Sequence, residues 1–387
     1  MPSAPIDAPI DGWCDARFER VREVFASHLA GDLEHGASVA VAVDGRPVVD
    51  LWGGVADAAR TRAWQRDTLV NVYSTTKGLT ALCAHLLADR GRLDLDAPVA
   101  HYWPEFAQAG KERIPVRHLL CHQAGLAALR RDLPIEDLYD WTRTTTALAE
   151  ETPWWEPGTA HGYHALTFGH LVGEVVRRIS GKSLGAFFRD EVAGPLGADL
   201  HIGLAAEHDA RVAELIPPPV DPLFQQMLAA DPTSLLVRAL ANPAPDPRLT
   251  ATRAWRGAEI PAANGHGNAR SIARVYAALA RGGALDGVTL CRPAALERAS
   301  TVVASGPDLV LRIPMHWGLG YVVNAAKSIY GPNPRSYGHT GYGGSFGFAD
   351  PDTRVAVGYA MNRMAATLVG EPRGTALIAA VYDSLSA

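Results

Sequence analysis

The sequence predicts an α/β (α+β) protein in which one antiparallel sheet is flanked by helices and carries a mainly helical second domain. A helix and hairpin pattern occurs near the N-terminus, and glycine-rich strand patterns fill the last third of the chain. Helical patterns with long connections lie between them. Because both ends of the chain supply strands, we expect those strands to pair in one sheet.

The first elements are a helix over 15–30 and a β-hairpin. Apolar residues recur at helical spacing in 15–30, and Gly31 follows them. Valine then alternates with small residues up to Val43, the pair Asp44-Gly45 supplies a turn, and a second run extends over 48–52. This order of alternating run, Asp-Gly and alternating run is typical of a β-hairpin.

A second helix is predicted directly after Ser74. An apolar stripe at positions i, i+3, i+4, i+7 and i+8 starts at Leu79, and Gly91 ends it. The helix therefore covers 75–90, and Ser74 lies at its N-terminal edge.

The later elements follow from the same two periodicities. The predicted helices are 165–179, 184–194, 269–281 and 374–385, and the predicted strands are 317–323, 335–341, 344–350 and 354–361. A tight turn over 350–353 joins the last two strands.

These elements predict two domains. Residues 1–90 and 255–387 form a discontinuous sheet domain, and residues 91–254 form a mainly helical domain. The proline-rich stretch 216–249 contains interleaved Leu, Phe and Met, so we interpret it as a packed excursion of the helical domain.

Composition excludes several classes of function. The 387 residues carry a net charge of -5, which provides no basic surface for nucleic acid or an anionic membrane. The N-terminal residues lack the basic start and apolar run of a signal peptide, and no apolar stretch has the ~18 residues of a membrane span. The four cysteines are dispersed, so we expect buried, reduced thiols and a cytoplasmic location.

Lys77 is the first chemically informative residue. Lysine occurs only four times, as Lys77, Lys111, Lys182 and Lys327, in a chain that otherwise uses arginine. Residues i and i+3 share a helix face, so Ser74 and Lys77 can meet. A serine hydroxyl needs a neighbouring base, and a buried lysine can lose its proton whereas arginine cannot. The pair therefore predicts a nucleophile and its base, although serine is also a common helix cap.

Two further segments strengthen this interpretation. Tyr163 lies in "YHA" just before an apolar helix, and His339 begins "HTG" in a glycine-dense strand. Together with "STTK", these segments resemble the S-x-x-K, Y-x-N and K-T-G elements of penicillin-recognising serine hydrolases, in the order of class C β-lactamases. The chain departs from the pattern at Ala165 and His339. With these departures it most resembles the family VIII carboxylesterases, and the resemblance covers nearly the whole chain.

The resemblance implies a β-lactamase/transpeptidase-like fold and a set of roles. Ser74 attacks the acyl carbon, and Lys77 acts as its base or as partner to a Tyr163 phenolate. Tyr163 passes the proton to the leaving alcohol. The backbone N–H groups of Ser74 and Tyr342 form the oxyanion hole.

The third motif implies substrate contacts. His339, Thr340 and Gly341 match the strand that binds substrate in the resembling family. A neutral histidine weakens an anchor for a carboxylate, and Ala165 removes an amide contact. Both departures favour uncharged esters over β-lactams.

The sequence therefore predicts a serine esterase for short-chain esters, with a small-molecule substrate and no cofactor. One alternative is a β-lactam or small-amide hydrolase, or an acyltransferase, of the same fold. Another is a non-catalytic penicillin-binding sensor or scaffold.

Three other patterns compete with this site. "GGSFG" around Ser345 matches the G-x-S-x-G elbow of α/β-hydrolases, but no histidine follows His339, so the required residue order is impossible. His118 and His122 have metal-ligand spacing without the H-E-x-x-H glutamate, and we expect no metal there. Trp154, Trp155 and Tyr337 are candidates either for a substrate pocket or for core packing; these two alternatives stay open.

Overall fold

The fold is given by a computed structural model that describes residues 9–31, 33–219, 226, 229–243, 246–327, 329–367 and 370–386. A nine-stranded antiparallel sheet forms its centre, in the order β1-β3-β2-β14-β13-β12-β11-β10-β9. These strands are β1 (Asp11–Cys14), β2 (Gly36–Val43), β3 (Arg46–Gly54), β9 (Ala304–Pro307), β10 (Pro314–Trp317), β11 (Val322–Val323), β12 (Tyr337–Thr340), β13 (Phe346–Asp350) and β14 (Val355–Met361). The two ends of the chain meet where β2 pairs with β14.

Helices cover both faces of this sheet. Helices Glu19–Ala30 and Pro372–Ser386 pack together on one side, and helix Ala269–Ala280 packs on β2, β13 and β14. Glycine permits the close contact on the second face, because a Cβ at Gly358 would lie 2.3 Å from the Ala269 carbonyl oxygen. Strands β2 and β14 are therefore almost fully buried.

The middle of the chain is mainly helical. Its α-helices are Thr75–Asp89, Val99–Tyr102, Val116–Leu120, Ile135–Tyr139, Trp141–Glu150, Thr167–Ser180, Leu184–Phe188, Gly194–Leu196, Leu235–Ala241 and Arg253–Gly257, and Pro293–Ser300 follows later. Short helical turns cover Ala16–Phe18, Pro104–Phe106, Arg189–Ala193, Ala206–Arg211 and Pro247–Ala251. Two small sheets complete the described fold: β4 (Val70–Asn71), β5 (Leu200–Ile202) and β6 (Gly265–Gly267) form one, and β7 (Ala284–Leu285) and β8 (Val288–Thr289) form the other.

Most predicted elements are confirmed, and one strand is wrong. The predicted strand 317–323 is instead the end of β10, a turn and β11. Gly320 has φ of 90°, and a Cβ there would lie 2.2 Å from the Cβ of Ala81, so the chain must turn where the helix Thr75–Asp89 passes. The predicted helix 184–194 continues through a wider turn to Leu196.

The sequence patterns did not predict the two edge strands, because β1 and β9 have four residues each and show little alternation of apolar residues. All four cysteines are free, but Cys14 is half-exposed on edge strand β1, contrary to the expectation that every thiol is buried.

The two-domain division stays a prediction. Within the 216–249 excursion, residues 220–225, 227, 228, 244 and 245 lie outside the described residues. In the described part of the chain, no helix combines the length and the apolarity needed to cross a bilayer.

Candidate active site

Ser74 stands at the start of the helix Thr75–Asp89, as predicted. The residue before it, Tyr73, has a left-handed backbone with φ of 41°. Such a conformation costs a tyrosine on the order of 1–3 kcal/mol and persists only where neighbouring structure enforces it. Here a backbone bridge to Asn264 and ring contacts with Trp255 and Tyr342 hold Tyr73. The strained turn leaves Ser74 half-buried rather than enclosed.

Lys77 makes three contacts through a single nitrogen. Its Nζ lies 2.9 Å from Ser74 Oγ, 2.7 Å from the Ala165 carbonyl oxygen and 3.0 Å from the Ala262 carbonyl oxygen. Carbonyl oxygens only accept hydrogen bonds, so two N–H groups must point at Ala165 and Ala262. In a neutral amine, the remaining lone pair then faces Ser74.

The surroundings of Lys77 favour this neutral form. The side chain is fully buried, and burial lowers the pKa of Lys77 well below its ordinary value. Desolvation disfavours the ammonium form, and no carboxylate among the described residues forms an ion pair with Lys77. The nitrogen beside Ser74 is therefore able to accept a proton near neutral pH.

Tyr163 lies beside the same two residues. The Lys77 Nζ is 4.7 Å from the centre of the Tyr163 ring, and the Tyr163 side chain is buried. Burial raises the pKa of the Tyr163 phenol, the hydrogen bond with Ser74 opposes this rise, and the charge of Asp308 adds to it. Tyr163 is consequently a protonated phenol, which can give a proton to an oxygen near Ser74.

The third predicted segment ends β12 beside the Ser74 turn. A Cβ at Gly341 would lie 2.2 Å from the Val72 carbonyl oxygen, so only glycine allows this approach. The approach brings the following residue, Tyr342, against Tyr73, with ring centroids 5.5 Å apart. Thr340 and Tyr342 are both half-buried.

His339 is neutral in this structure. The pKa of His339 is lowered to about 3, and burial is the largest cause of this shift. Its Nδ1 lies 2.8 Å from the Thr340 carbonyl oxygen and must donate to it, so Nε2 carries the lone pair. His339 thus provides an uncharged surface beside Tyr163, whose ring centroid is 6.2 Å away.

Ser345 is bonded within the protein. Its Oγ donates to the Val72 carbonyl oxygen at 2.8 Å and lies 3.0 Å from Thr75 Oγ1, with the side chain buried. Ser345 lies in a turn that enters strand β13, not in the strand–turn–helix context of a nucleophile elbow. It ties the start of the Ser74 helix to the turn that carries Tyr342.

We expect Ser345→Ala to lower stability and to preserve catalysis. Two buried groups lose a hydrogen-bond partner, which costs about 1–3 kcal/mol of unfolding free energy. The kcat should fall by less than about tenfold, since the substitution touches no reacting atom. Denaturant unfolding and p-nitrophenyl butyrate kinetics measure the two effects. Loss of all activity in a folded variant would instead make Ser345 the nucleophile.

The histidines considered for a metal have other contacts. His122 accepts the His164 backbone N–H through Nδ1 at 3.2 Å, and its ring lies 4.4 Å from that of Trp317. His118 lies against Gly158. Among the described residues, no group of three His, Cys, Asp or Glu side chains could hold a metal ion.

The structure places different aromatic residues near Ser74 than those singled out in the sequence. Tyr337 is fully buried against Tyr321, so it belongs to the core. Trp154 and Trp155 are half-buried, and each indole N–H donates to a backbone carbonyl oxygen. The rings beside the nucleophile turn belong to Tyr73, Trp255 and Tyr342; the motifs implied a role only for the backbone N–H group of Tyr342 and none for these three rings.

Sequence reasoning also missed Asp308 and Trp317. The Trp317 ring is parallel to that of Tyr163, with an interplanar angle of 3° and centroids 5.7 Å apart. Asp308 accepts the backbone N–H of Tyr163 at 3.0 Å. Neither residue lies near Tyr163 in sequence, and only the fold brings them together.

Comparison with known proteins identifies the family of the chain. The Beta-lactamase family model matches residues 21–381. A crystal structure of a family VIII carboxylesterase superposes with a TM-score of 0.92 at 46% identity, covering 97% of this chain and 100% of the other. A penicillin-binding protein homologue from Caulobacter crescentus gives 0.90 at 40% identity, with coverage of 97% and 100%. The Esterase/beta-lactamase LipL of Mycobacterium tuberculosis is 39% identical over 92% of this chain and 84% of its own length.

Proposed function

The chain belongs to the beta-lactamase family, and from this we propose that it is a carboxylesterase that hydrolyses short-chain esters through an acyl-enzyme on Ser74. The observation that carries the proposal is the Lys77 nitrogen, which two carbonyl oxygens orient towards Ser74 Oγ. Similarity to a family VIII carboxylesterase and to an esterase/beta-lactamase supports the ester substrate class.

In the acylation step, Lys77 is the base. The Ser74 hydroxyl transfers its proton to the Nζ lone pair while Oγ bonds to the ester carbonyl carbon. The carbonyl π electrons move to oxygen, and the backbone N–H groups of Ser74 and Tyr342 stabilise the resulting oxyanion. A Tyr163 phenolate is a poorer candidate for the base, because burial raises the pKa of that phenol.

Tyr163 is the general acid for the leaving group. When the tetrahedral intermediate collapses, its bond to the alkoxy oxygen breaks, and the Tyr163 hydroxyl gives that oxygen a proton. The Lys77 ammonium then returns a proton to the phenolate, which restores both groups. Attack of water on the acyl-enzyme releases the carboxylic acid and regenerates Ser74.

The charges around Ser74 favour an uncharged ester over a β-lactam. The carboxylate of a β-lactam needs a cation, whereas the low pKa values of Lys77 and His339 leave both groups neutral. The buried charged group near Tyr163 is the carboxylate of Asp308, which repels an anion. We therefore propose that His339, Thr340 and Gly341 contact the substrate but provide no cation that could bind a carboxylate.

Two alternative functions remain: a different reaction on the same fold, and a protein that is not an enzyme. A β-lactam or small-amide hydrolase, or an acyltransferase, shares the Ser74 acylation step, and the relative named esterase/beta-lactamase favours keeping the first of these. A penicillin-binding sensor or scaffold would be acylated without turnover.

The test combines covalent labelling with turnover. We expect an alkyl phosphonate to add one mass increment to the wild-type protein and none to Ser74→Ala, and wild type to turn over p-nitrophenyl butyrate continuously. The chromogenic cephalosporin nitrocefin should be opened far more slowly. Labelling without turnover would favour the sensor or an acyltransferase, faster nitrocefin opening would favour the β-lactam hydrolase, and absence of labelling would refute the acyl-enzyme.

A further inference from the structure

Asp308 is a buried carboxylate that belongs to none of the three motif segments. It follows edge strand β9, and its side chain is fully shielded from solvent. Burying an ionised carboxylate is costly unless hydrogen bonds compensate it. The partners of its two oxygens therefore indicate what the residue does.

One oxygen of Asp308 fixes the backbone at Tyr163. Oδ1 accepts the backbone N–H of Tyr163 at 3.0 Å, that of Val310 at 2.9 Å and that of Leu311 at 2.8 Å. The last two bonds close a loop around the carboxylate itself. The first reaches across 145 residues of sequence, so this oxygen fastens the Tyr163 backbone to the loop after β9.

The other oxygen holds the surface on which the phenol lies. Oδ2 is 3.3 Å from Trp317 Nε1 and 3.3 Å from His161 Nδ1. The indole N–H can only donate, so it points at the carboxylate. Because the Trp317 ring is stacked on the Tyr163 ring at an interplanar angle of 3°, this bond also fixes the plane of the phenol.

Asp308 is ionised in this setting. Burial by itself would raise the pKa of Asp308, but hydrogen bonds from His161 and from the backbone N–H groups of Leu311, Tyr163 and Val310 lower it below its ordinary value. Its negative charge in turn raises the pKa of Tyr163. The same side chain orients the phenol and disfavours loss of its proton.

We propose that Asp308 is the positioning residue of Tyr163, which sets the orientation of the phenol that the leaving-group step requires. This inference rests on the proposed function, in which Tyr163 protonates the departing alcohol. Asp308 itself contacts no reacting atom and acts through Tyr163.

The leaving group provides a readout that a general loss of folding does not affect. An alkoxide is strongly basic and needs a proton as it departs, whereas p-nitrophenolate departs as a stable anion. A defect confined to the general acid therefore slows ethyl butyrate more than p-nitrophenyl butyrate. A smaller folded fraction slows both esters by the same factor.

The experiment compares Asp308→Asn with wild type on these two esters. The amide can keep one carbonyl oxygen for the backbone N–H groups, but its NH2 group cannot accept from Trp317. We expect kcat on ethyl butyrate to fall about 10- to 100-fold, within the range of general acid catalysis, with KM nearly unchanged and a clearly smaller loss on p-nitrophenyl butyrate. Equal losses on both esters would overturn the proposal.

A double-mutant cycle provides the second readout. If Asp308 acts through Tyr163, Asp308→Asn should cost little further ethyl butyrate activity in a Tyr163→Phe background. Losses that multiply in the double variant would overturn the proposal, because they would show that the two residues act independently.

Two further variants distinguish a loss of positioning from a loss of folding. Asp350→Asn is the matched control, since Asp350 is also a buried carboxylate with several donors but lies at the far end of β13. It should lower the melting temperature without changing the ratio between the esters. If Asp308→Asn does not fold, Trp317→Phe keeps a smaller aromatic ring against Tyr163 and removes the indole N–H that points at Asp308. It should slow ethyl butyrate selectively, and equal losses on both esters would overturn the proposal.

Failure of this inference is separable from failure of the proposed function. Phosphonate labelling at Ser74 and steady turnover by wild type test the esterase independently of Asp308. If both hold while Asp308→Asn affects the two esters equally, only the positioning role is refuted.

Discussion

Lys77→Met should retain a folded protein that has lost at least about 10³-fold in kcat, within the range that general acid–base groups contribute. The methionine side chain is unbranched and one atom shorter than that of lysine, and its thioether is not basic enough to take the Ser74 proton. It also leaves the carbonyl oxygens of Ala165 and Ala262 without their donor, so we expect the unfolding free energy to fall by about 1–3 kcal/mol per orphaned group. Esterase kinetics and denaturant unfolding measure the two effects.

A second variant, Lys77→Arg, tests whether position 77 needs a group that can lose its proton. It introduces a cation that cannot lose its proton, so activity should also be lost. Because the position is fully buried without a paired carboxylate, the permanent charge should destabilise the fold more than methionine does. Near-normal kcat in either folded variant would remove Lys77 from the mechanism.

The pH profile gives an independent check on Lys77. Burial lowers the pKa of Lys77, and the base works only when it is unprotonated. The wild-type kcat/KM should therefore fall as the pH falls through that lowered pKa and stay level above it. A profile that rises only near the ordinary lysine pKa would mean that Lys77 is protonated at neutral pH.

Tyr163→Phe should cost at least about 10²-fold in kcat on ethyl butyrate, the lower end of general acid catalysis. Phenylalanine preserves the ring that stacks on Trp317 and lies over the Lys77 nitrogen, so the packing should change little. The substitution removes the hydroxyl that gives a proton to the leaving alkoxide.

The comparison ester separates this role from a structural one. With p-nitrophenyl butyrate, the loss should be smaller, because p-nitrophenolate departs without a proton. A mild and equal effect on both esters would show that Tyr163 contributes packing and is not the general acid. Retention of the wild-type melting temperature is the control for folding.

Local patterns sufficed for most of the elements near the site. The apolar stripe from Leu79 predicted the helix that begins after Ser74, and the Asp44-Gly45 turn predicted the hairpin of β2 and β3. The stretch 317–323 was misassigned because its residues suit a strand, whereas the contact between Gly320 and the passing helix forces a turn. That contact joins residues distant in sequence and has no periodicity of its own.

Some features of the candidate site could likewise be predicted from the sequence, whereas others depend on the fold. The spacing of Ser74 and Lys77 could be interpreted from the sequence because residues i and i+3 share a helix face. The carbonyl oxygens of Ala165 and Ala262 could not be identified, because every residue has a carbonyl group and only the fold selects two of them. The burial that lowers the pKa of Lys77 is likewise a property of the packed interior.

The sequence by itself determined the family, the order of the motif segments and the residue types available for acylation, because these depend on local spacing and side-chain chemistry. The tertiary structure decided which groups are charged and how they face one another. Burial lowers the pKa of Lys77, the Tyr163 ring lies parallel to Trp317, and the Tyr163 backbone is bonded to Asp308. These properties arise from desolvation and from hydrogen bonds between distant segments, which exist only once the chain has folded.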